Sequence, residues 1–386
     1  MSLPLEGTRV LDCTRLLPGN YCTLLLADLG ADVVKVEEPG RGDYIRWTLP
    51  LVDGESAVHR ALNRGKRSVT VDLKAQRGVE VFRRLAAGAE AVIESFRPGV
   101  MDRLGVGYES LRRGNERLVY CAITGYGQDG PYRDRVGHDI NYIGHAGLLH
   151  ATGQPDGPPT LPAVQVGDFG GGMAAAVGTL AALTEAASAG RGRFVDVSML
   201  DVATSWLGVV MSWYLATGEV PPRGGMPLSG GLACYRVYRA GDGRYLSVGA
   251  LEPPFWQALC EALDLPELVN QHFGPPDVQE AVATRLQAVF ETRPRDEWVE
   301  RLAHLETCVG PVNDVSEALD DPQVIHRGLV ARVGGTPVGP GPAVGLPGEA
   351  RVFRPAPGLG EHTDEVLRES GVSSGEISDL RSIGAI

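Results

Sequence analysis

The chain has 386 residues, of which 43% are hydrophobic and 22% charged, and its formal net charge is −12. That composition belongs to a globular protein with a sizeable core, long enough for one large or two ordinary domains. An acidic chain with no long basic block excludes nucleic-acid binding through a general electrostatic footprint. The cysteines at 13, 22, 121, 234, 260 and 308 include no CxxC pair, so neither a metal site nor a redox dithiol is signalled. They read as core residues of a reducing compartment. With no signal-peptide-like run at the start and no apolar stretch of about 18 residues, a cytoplasmic protein without a membrane span is expected.

In chain order, Thr8 to Asp12 reads as a short buried strand, and Tyr21 to Leu29 is apolar at helical spacing with Gly30 as its stop. Strands are expected at Asp32 to Val36, Ser68 to Leu73, Ala91 to Ser95 and Leu118 to Thr124, with an amphipathic helix at Val79 to Ala87. Alternation of this kind implies a doubly wound parallel sheet. A long helix is expected over Asp168 to Ala187, then a strand at Phe194 to Val197 and a helix from Leu200. The Gly/Pro-rich stretch from Gly224 to Gly231 reads as a crossing between domains. After it, Cys234 to Ala250 has the pattern of a hairpin turning at Gly241-Asp242-Gly243. Amphipathic helices at Phe255 to Leu263, Val278 to Glu291 and Arg295 to Leu305 complete a smaller α+β domain. Residues 335–359 read as an extended surface crossing, and two short helices close the chain. The expected division is a large domain of residues 1–223 and 321–386 with a small domain of residues 224–320.

Three common signatures are missing: no GxGxxG follows the first strand, and neither a phosphate-binding P-loop nor a Gly-x-Ser-x-Gly elbow occurs. What remains is a set of acids and a histidine. Gly137-His138-Asp139-Ile140-Asn141-Tyr142 groups four polar side chains. Asp168 precedes Gly170-Gly171-Gly172 at the start of the long helix. Each glycine costs about 1 kcal/mol against alanine inside a helix, so the run suggests that something approaches the backbone closely. Bare N–H groups there offer donors to an oxyanion. Glu252 ends an apolar strand and precedes a helix.

These residues also carry a family resemblance. LLADLGADVVKVEEPGRGD, NRGKRSVTVDL, ESFRPGVMDRLG, ITGYGQDGPYRDRVGHDINY, VGDFGGG, GRGRFVDVSMLD, VGALEP, CVGPV and GEHTDEVL resemble the class III CoA-transferase (CaiB/BaiF) superfamily, and within it the α-methylacyl-CoA racemases. The stretches run from about residue 5 to near the C-terminus. The resemblance implies an acyl-CoA substrate, with no cofactor beyond the CoA moiety of the substrate itself. It also implies an interlocked homodimer whose active site forms between the large domain of one subunit and the small domain of the other.

Transferase members use the aspartate matching Asp168 as a nucleophile, through acyl-aspartyl and aspartyl-CoA intermediates. Racemase members keep it as a base and add the residues matching His138 and Glu252. With all three present, the resemblance implies two-base proton transfer through an enolate. His138, oriented by Glu252, serves one face and Asp168 the other, with Asp139 supporting the His138 segment and the Gly170 to Gly172 backbone as oxyanion donor. CoA transfer between carboxylic acids is the alternative. Matching positions suggest Leu17, Pro18, Val71, Lys74, Ser95, Phe96, Arg97, Arg103, Leu104 and Tyr142 as CoA contacts. Two departures stand out. Leu228-Ser229-Gly230-Gly231-Leu232-Ala233 replaces the racemases' Leu-Asp-Gly-Gly-Ala-Pro. Glu38 stands where many members have an arginine facing the nucleotide, with Arg41 and Arg46 as candidate substitutes.

Overall fold

The computed structural model describes residues 2–346 and 352–386. These divide into two compact units, residues 2–146, 163–206, 322–346 and 352–386 in one, and residues 147–162 and 207–321 in the other.

The first unit is built on six parallel strands: β1 (Arg9–Cys13), β2 (Asp32–Glu37), β3 (Arg67–Thr70), β4 (Ala91–Glu94), β5 (Val119–Thr124) and β6 (Phe194–Ser198). Their spatial order is β3-β2-β1-β4-β5-β6. The central strands are apolar throughout because both faces are covered, as in parallel sheets generally. Alternate residues divide between two cores. Leu11, Val34, Val92, Tyr120 and Ala122 face one side, while Val10, Val33, Ile93, Cys121 and Ile123 face the other. The first core is closed by Val79, Phe82 and Leu85 of a helix at Gln76–Ala87 and by Ile377 and Leu380 near the C-terminus.

The second core lies under helix α1 (Leu16–Asp28) and a longer helix at Val166–Ala189. At 24 residues the longer helix is apolar enough to cross a membrane by length and composition, which the sequence reading did not expect. Here it supplies Ala175, Ala176, Ala182 and Ala186 to the core.

Chain order reverses between β1 and β4. In an open parallel sheet the connections after two such strands leave in opposite directions. A crevice therefore opens at their carboxyl ends. The turn leaving β1 is held from below by a buried charge network. Lys35 lies 3.0 Å from Asp43 and 3.8 Å from Asp12, and Lys66 lies 3.2 Å from Asp12. Burial opposes ionisation of Asp12, but the two ammonium groups outweigh it and bring its carboxyl down to about 2. Asp43 also accepts the Leu16 N–H at 3.1 Å, which pins Leu16 at φ +61°. Few non-glycine residues occupy that region without such support.

In the second unit β7 (Tyr235–Arg239), β8 (Tyr245–Gly249) and β9 (Val309–Pro311) form an antiparallel sheet with β8 central. Helices at Pro253–Ala262, Pro276–Phe290 and Arg295–Leu302 cover it through Trp256, Leu286, Phe290 and Trp298. This unit starts at Leu207 and includes residues 147–162, whereas the sequence reading put its start at Gly224. Gly/Pro content marks local turns, and it does not tell which body the preceding helix, Gly208–Thr217, joins. The stretch at 335–359 is also not simply extended. Thr336–Pro340 pairs antiparallel with Val330–Val333, and residues 347–351 lie outside the described residues.

Candidate active site

A cavity of about 590 Å³ opens at the carboxyl ends of β1, β4 and β5. Its wall takes Arg15 from the turn after β1, Leu16 and Pro18 from the start of α1, Ser95, Phe96 and Arg97 from the turn after β4, and Thr124 to Tyr126 from the end of β5. The Arg15 N–H donates to Ser95 Oγ at 2.9 Å, tying the first two turns together across the switch point. His138, Asn141, Tyr142 and Asp168 line the cavity as well. His138 and Asp168, thirty positions apart in the chain, thus border one space.

The segment that carries them is closed by short-range bonds. Helix α2 (Asp139–Ala146) begins immediately after His138. The His138 backbone N–H donates to Asn141 Oδ1 at 3.0 Å, and the Asn141 N–H returns to the His138 carbonyl at 2.8 Å. Tyr142, buried, donates its hydroxyl to the Gly137 carbonyl at 2.5 Å. Its phenol is therefore committed to the loop, although its ring lines the cavity.

Asp139 has a different task from the support of His138 that was expected. Its Oδ1 accepts the Gly167 N–H at 2.6 Å and the Asp168 N–H at 3.1 Å. It caps helix α3 (Val166–Ala189), whose own N-cap residue, Gln165, makes no side-chain capping bond. The contact fixes Asp168 and stabilises the helix end. Asp139→Ala is expected to cost about 1 kcal/mol, measured by denaturant unfolding. Activity should fall through misplacement of Asp168, with partial recovery in Asp139→Asn.

Asp168 is mostly shielded from water, and burial, followed by the charge of Asp139, raises its carboxyl from 3.8 to about 7. The same environment raises the Tyr142 phenol to about 12, by burial first and the Asp168 charge second. A carboxyl that titrates near neutrality is matched to proton transfer.

The expected oxyanion role of Gly170 to Gly172 does not hold. These residues lie past the first turn of α3, where each N–H is committed to the carbonyl four residues back. The close neighbour is the protein itself. A Cβ on Gly172 would stand 2.4 Å from the Pro18 carbonyl oxygen, one on Gly171 2.7 Å from Met199 Cγ, and one on Gly170 2.8 Å from the Trp206 ring. The glycines let α3 sit against α1 and against α4 (Met199–Ser205).

A second cavity, of about 300 Å³, lies at the ends of β1, β2 and β3 and shares Arg15 and Phe96 with the first. Val71, Lys74 and Leu104 line it, as does Arg41. Arg46 is bound elsewhere, with its guanidinium on both Glu37 oxygens at 2.6 and 2.8 Å. Of the two candidates to replace the missing arginine, only Arg41 reaches this wall. Leu17 and Arg103 line neither cavity. Leu17 packs with Leu24, Ile45 and Leu62, and Arg103 is exposed on a short helix at Val100–Arg103. Glu252 belongs to the second unit, at the N-cap of the helix Pro253–Ala262 but with no side-chain capping bond. Its charge, after burial, raises the thiol of Cys308 in the same unit.

A family model described as CoA-transferase family III matches residues 5–363. Human succinyl-CoA:glutarate CoA-transferase is 35% identical over 378 residues, covering 95% of this chain and 86% of that protein. Human alpha-methylacyl-CoA racemase is 36% identical over 388 residues, covering 98% and 97%. The crystal structure of a CaiB/BaiF family protein from Brucella suis superposes with a TM-score of 0.83 at 33% identity, covering 96% of this chain and 100% of that one.

The chain belongs to CoA-transferase family III.

As a family III chain it has relatives of both activities at nearly equal identity, and acyl-CoA substrates fit the family. The cavity residues absent from the sequence expectations include Arg15, Tyr126, Arg133 and Arg135. A signal for two of them existed. Arg15 and Tyr126 each stand two positions past a strand of a doubly wound sheet, where such folds place ligand contacts. Arg135 stacks over the Tyr132 ring at 3.8 Å and Arg133 donates to the Gln128 carbonyl at 2.8 Å. Those loop contacts have no periodic signature.

Proposed function

We propose that this family III enzyme racemises 2-methylacyl-CoA thioesters by removing the α-proton from one face and delivering a different proton to the other. The observation that carries the reading is the pairing of His138 with a carboxyl at Asp168 raised to about 7, both bordering one cavity. Inversion needs an acid and a base on opposite faces of the carbon. In one direction neutral His138 takes the α-proton, electron density moves into the thioester carbonyl as an enolate, and protonated Asp168 delivers its proton to the other face. In the reverse direction ionised Asp168 is the base and the imidazolium is the acid. An imidazole and a carboxyl can each act as acid and as base, so the same pair supports both directions.

CoA transfer through Asp168 draws support from the succinyl-CoA:glutarate relative, and it requires a free carboxylic acid as acceptor. In an interlocked homodimer, which the reading includes, Glu252 serves as the residue that orients His138. The test uses a 2-methylacyl-CoA in deuterium oxide with no acceptor acid. A mass gain of one at the α-carbon supports racemisation. Turnover that appears only after an acceptor is added, with a hydroxamate trapped at Asp168, supports transfer instead.

A further inference from the structure

We infer that Glu38 is a built-in counter-anion of the second cavity, competing with the phosphates of a CoA thioester and so setting its affinity. The inference rests on the acyl-CoA reading of this chain. One wall of that cavity is apolar, with Val71, Leu73 and Leu104, and its cations are Arg15, Arg41 and Lys74. Glu38 faces all three. Lys74 Nζ lies 2.8 Å from Glu38 Oε1, and Arg15 Nη2 lies 3.8 Å from Glu38 Oε2. The Lys74 hydrogen bond chiefly, with Lys74, Arg15 and Arg41 charges behind it, holds the Glu38 carboxyl below the usual range.

Of the other carboxylates lining the cavity, Glu37 is bound by Arg46 and by the Ser68 hydroxyl at 2.6 Å, and Asp43 by Lys35 at 3.0 Å. Asp72 accepts the Lys74 backbone N–H at 2.9 Å and adds its charge near the Lys74 ammonium. Of these four, Glu38 is the one in ion-pair contact with the Lys74 and Arg15 side chains. The Lys74 side chain is 74% exposed, and an ion pair at such a rim adds little to stability. Its effect falls on binding. An arriving phosphate must draw Lys74 and Arg15 away from Glu38, or lie beside a like charge.

Glu38→Gln keeps the shape and removes the charge. Isothermal titration of the wild-type and variant proteins with CoA and with dephospho-CoA reads the effect directly. At low salt the variant is expected to bind CoA roughly three- to tenfold tighter, and the difference should shrink at high salt as the charges are screened. A gain confined to CoA assigns the competing group to the ribose phosphate, and a gain with both ligands assigns it to the diphosphate. Equal or weaker CoA binding by a variant of unchanged melting temperature overturns the inference alone. Wild-type protein that binds neither ligand overturns the acyl-CoA reading and the inference with it.

Discussion

Asp168→Asn is expected to slow racemisation by orders of magnitude and to stabilise the fold. Loss of an acid–base group lowers kcat by about 10²–10⁴-fold. The stability change follows from the direction of the shift. Folding raises the Asp168 carboxyl from 3.8 to about 7, so the folded state holds its proton more tightly than the unfolded chain. That contribution is complete below about pH 4 and is lost as pH rises through 7. Asparagine carries no charge to bury. The variant should therefore gain on the wild type between about pH 4 and 7 and keep its advantage above. At ~1.4 kcal/mol per unit, discounted for the water that still reaches the carboxylate, the gain is about 2–3 kcal/mol. Thermal unfolding from pH 4 to 8 measures it. Curves that stay parallel over that range would contradict a shielded Asp168 with a raised pKa. The trade of stability for activity is common where a group is held in a hostile setting.

His138→Gln should divide the reaction into halves. His138 is exposed in this chain, so the substitution is expected to leave stability within about 0.5 kcal/mol. Racemisation should fall about 10²–10⁴-fold. Exchange should not vanish for both enantiomers. The one whose α-hydrogen faces Asp168 keeps exchanging with solvent and keeps its configuration, while the other becomes inert. Asp168→Asn should show the mirror pattern, with exchange surviving on the His138 side. Chiral separation followed by mass spectrometry reads both. Transfer through Asp168 predicts little change on loss of His138.

Much of the framework could be read from the chain because of how a parallel sheet is built. Strands covered on both faces appear as short apolar runs, and β1, β2, β4 and β5 lie within one or two residues of the expected positions. His138 and Asp168 were recognisable as polar groups set in Gly-rich surroundings. Their environment was not. Asp139 caps a helix that begins twenty-seven positions later, and only folding brings the two together. In sequence the glycines suggest room for a ligand, whereas in the fold they make room for Pro18, Met199 and Trp206. A missing side chain signals a close approach without naming what approaches. The buried Lys35 and Lys66 resemble surface lysines in sequence, since nothing local distinguishes an ammonium that meets Asp12 inside the fold from one in water. Arg46 could not be told from Arg41 until its guanidinium was found on Glu37.

In the proposed reaction His138 serves one face of the α-carbon of a 2-methylacyl-CoA and Asp168 the other. The sharpest check is a single enantiomer incubated with the wild-type protein in deuterium oxide and sampled at low conversion. The inverted product should carry one α-deuteron, while the recovered starting enantiomer remains largely protiated, because each face is served by its own group. Unlabelled, uninverted thioester across a panel of 2-methylacyl groups, together with an Asp168 hydroxamate formed on adding hydroxylamine, would contradict the proposed reaction.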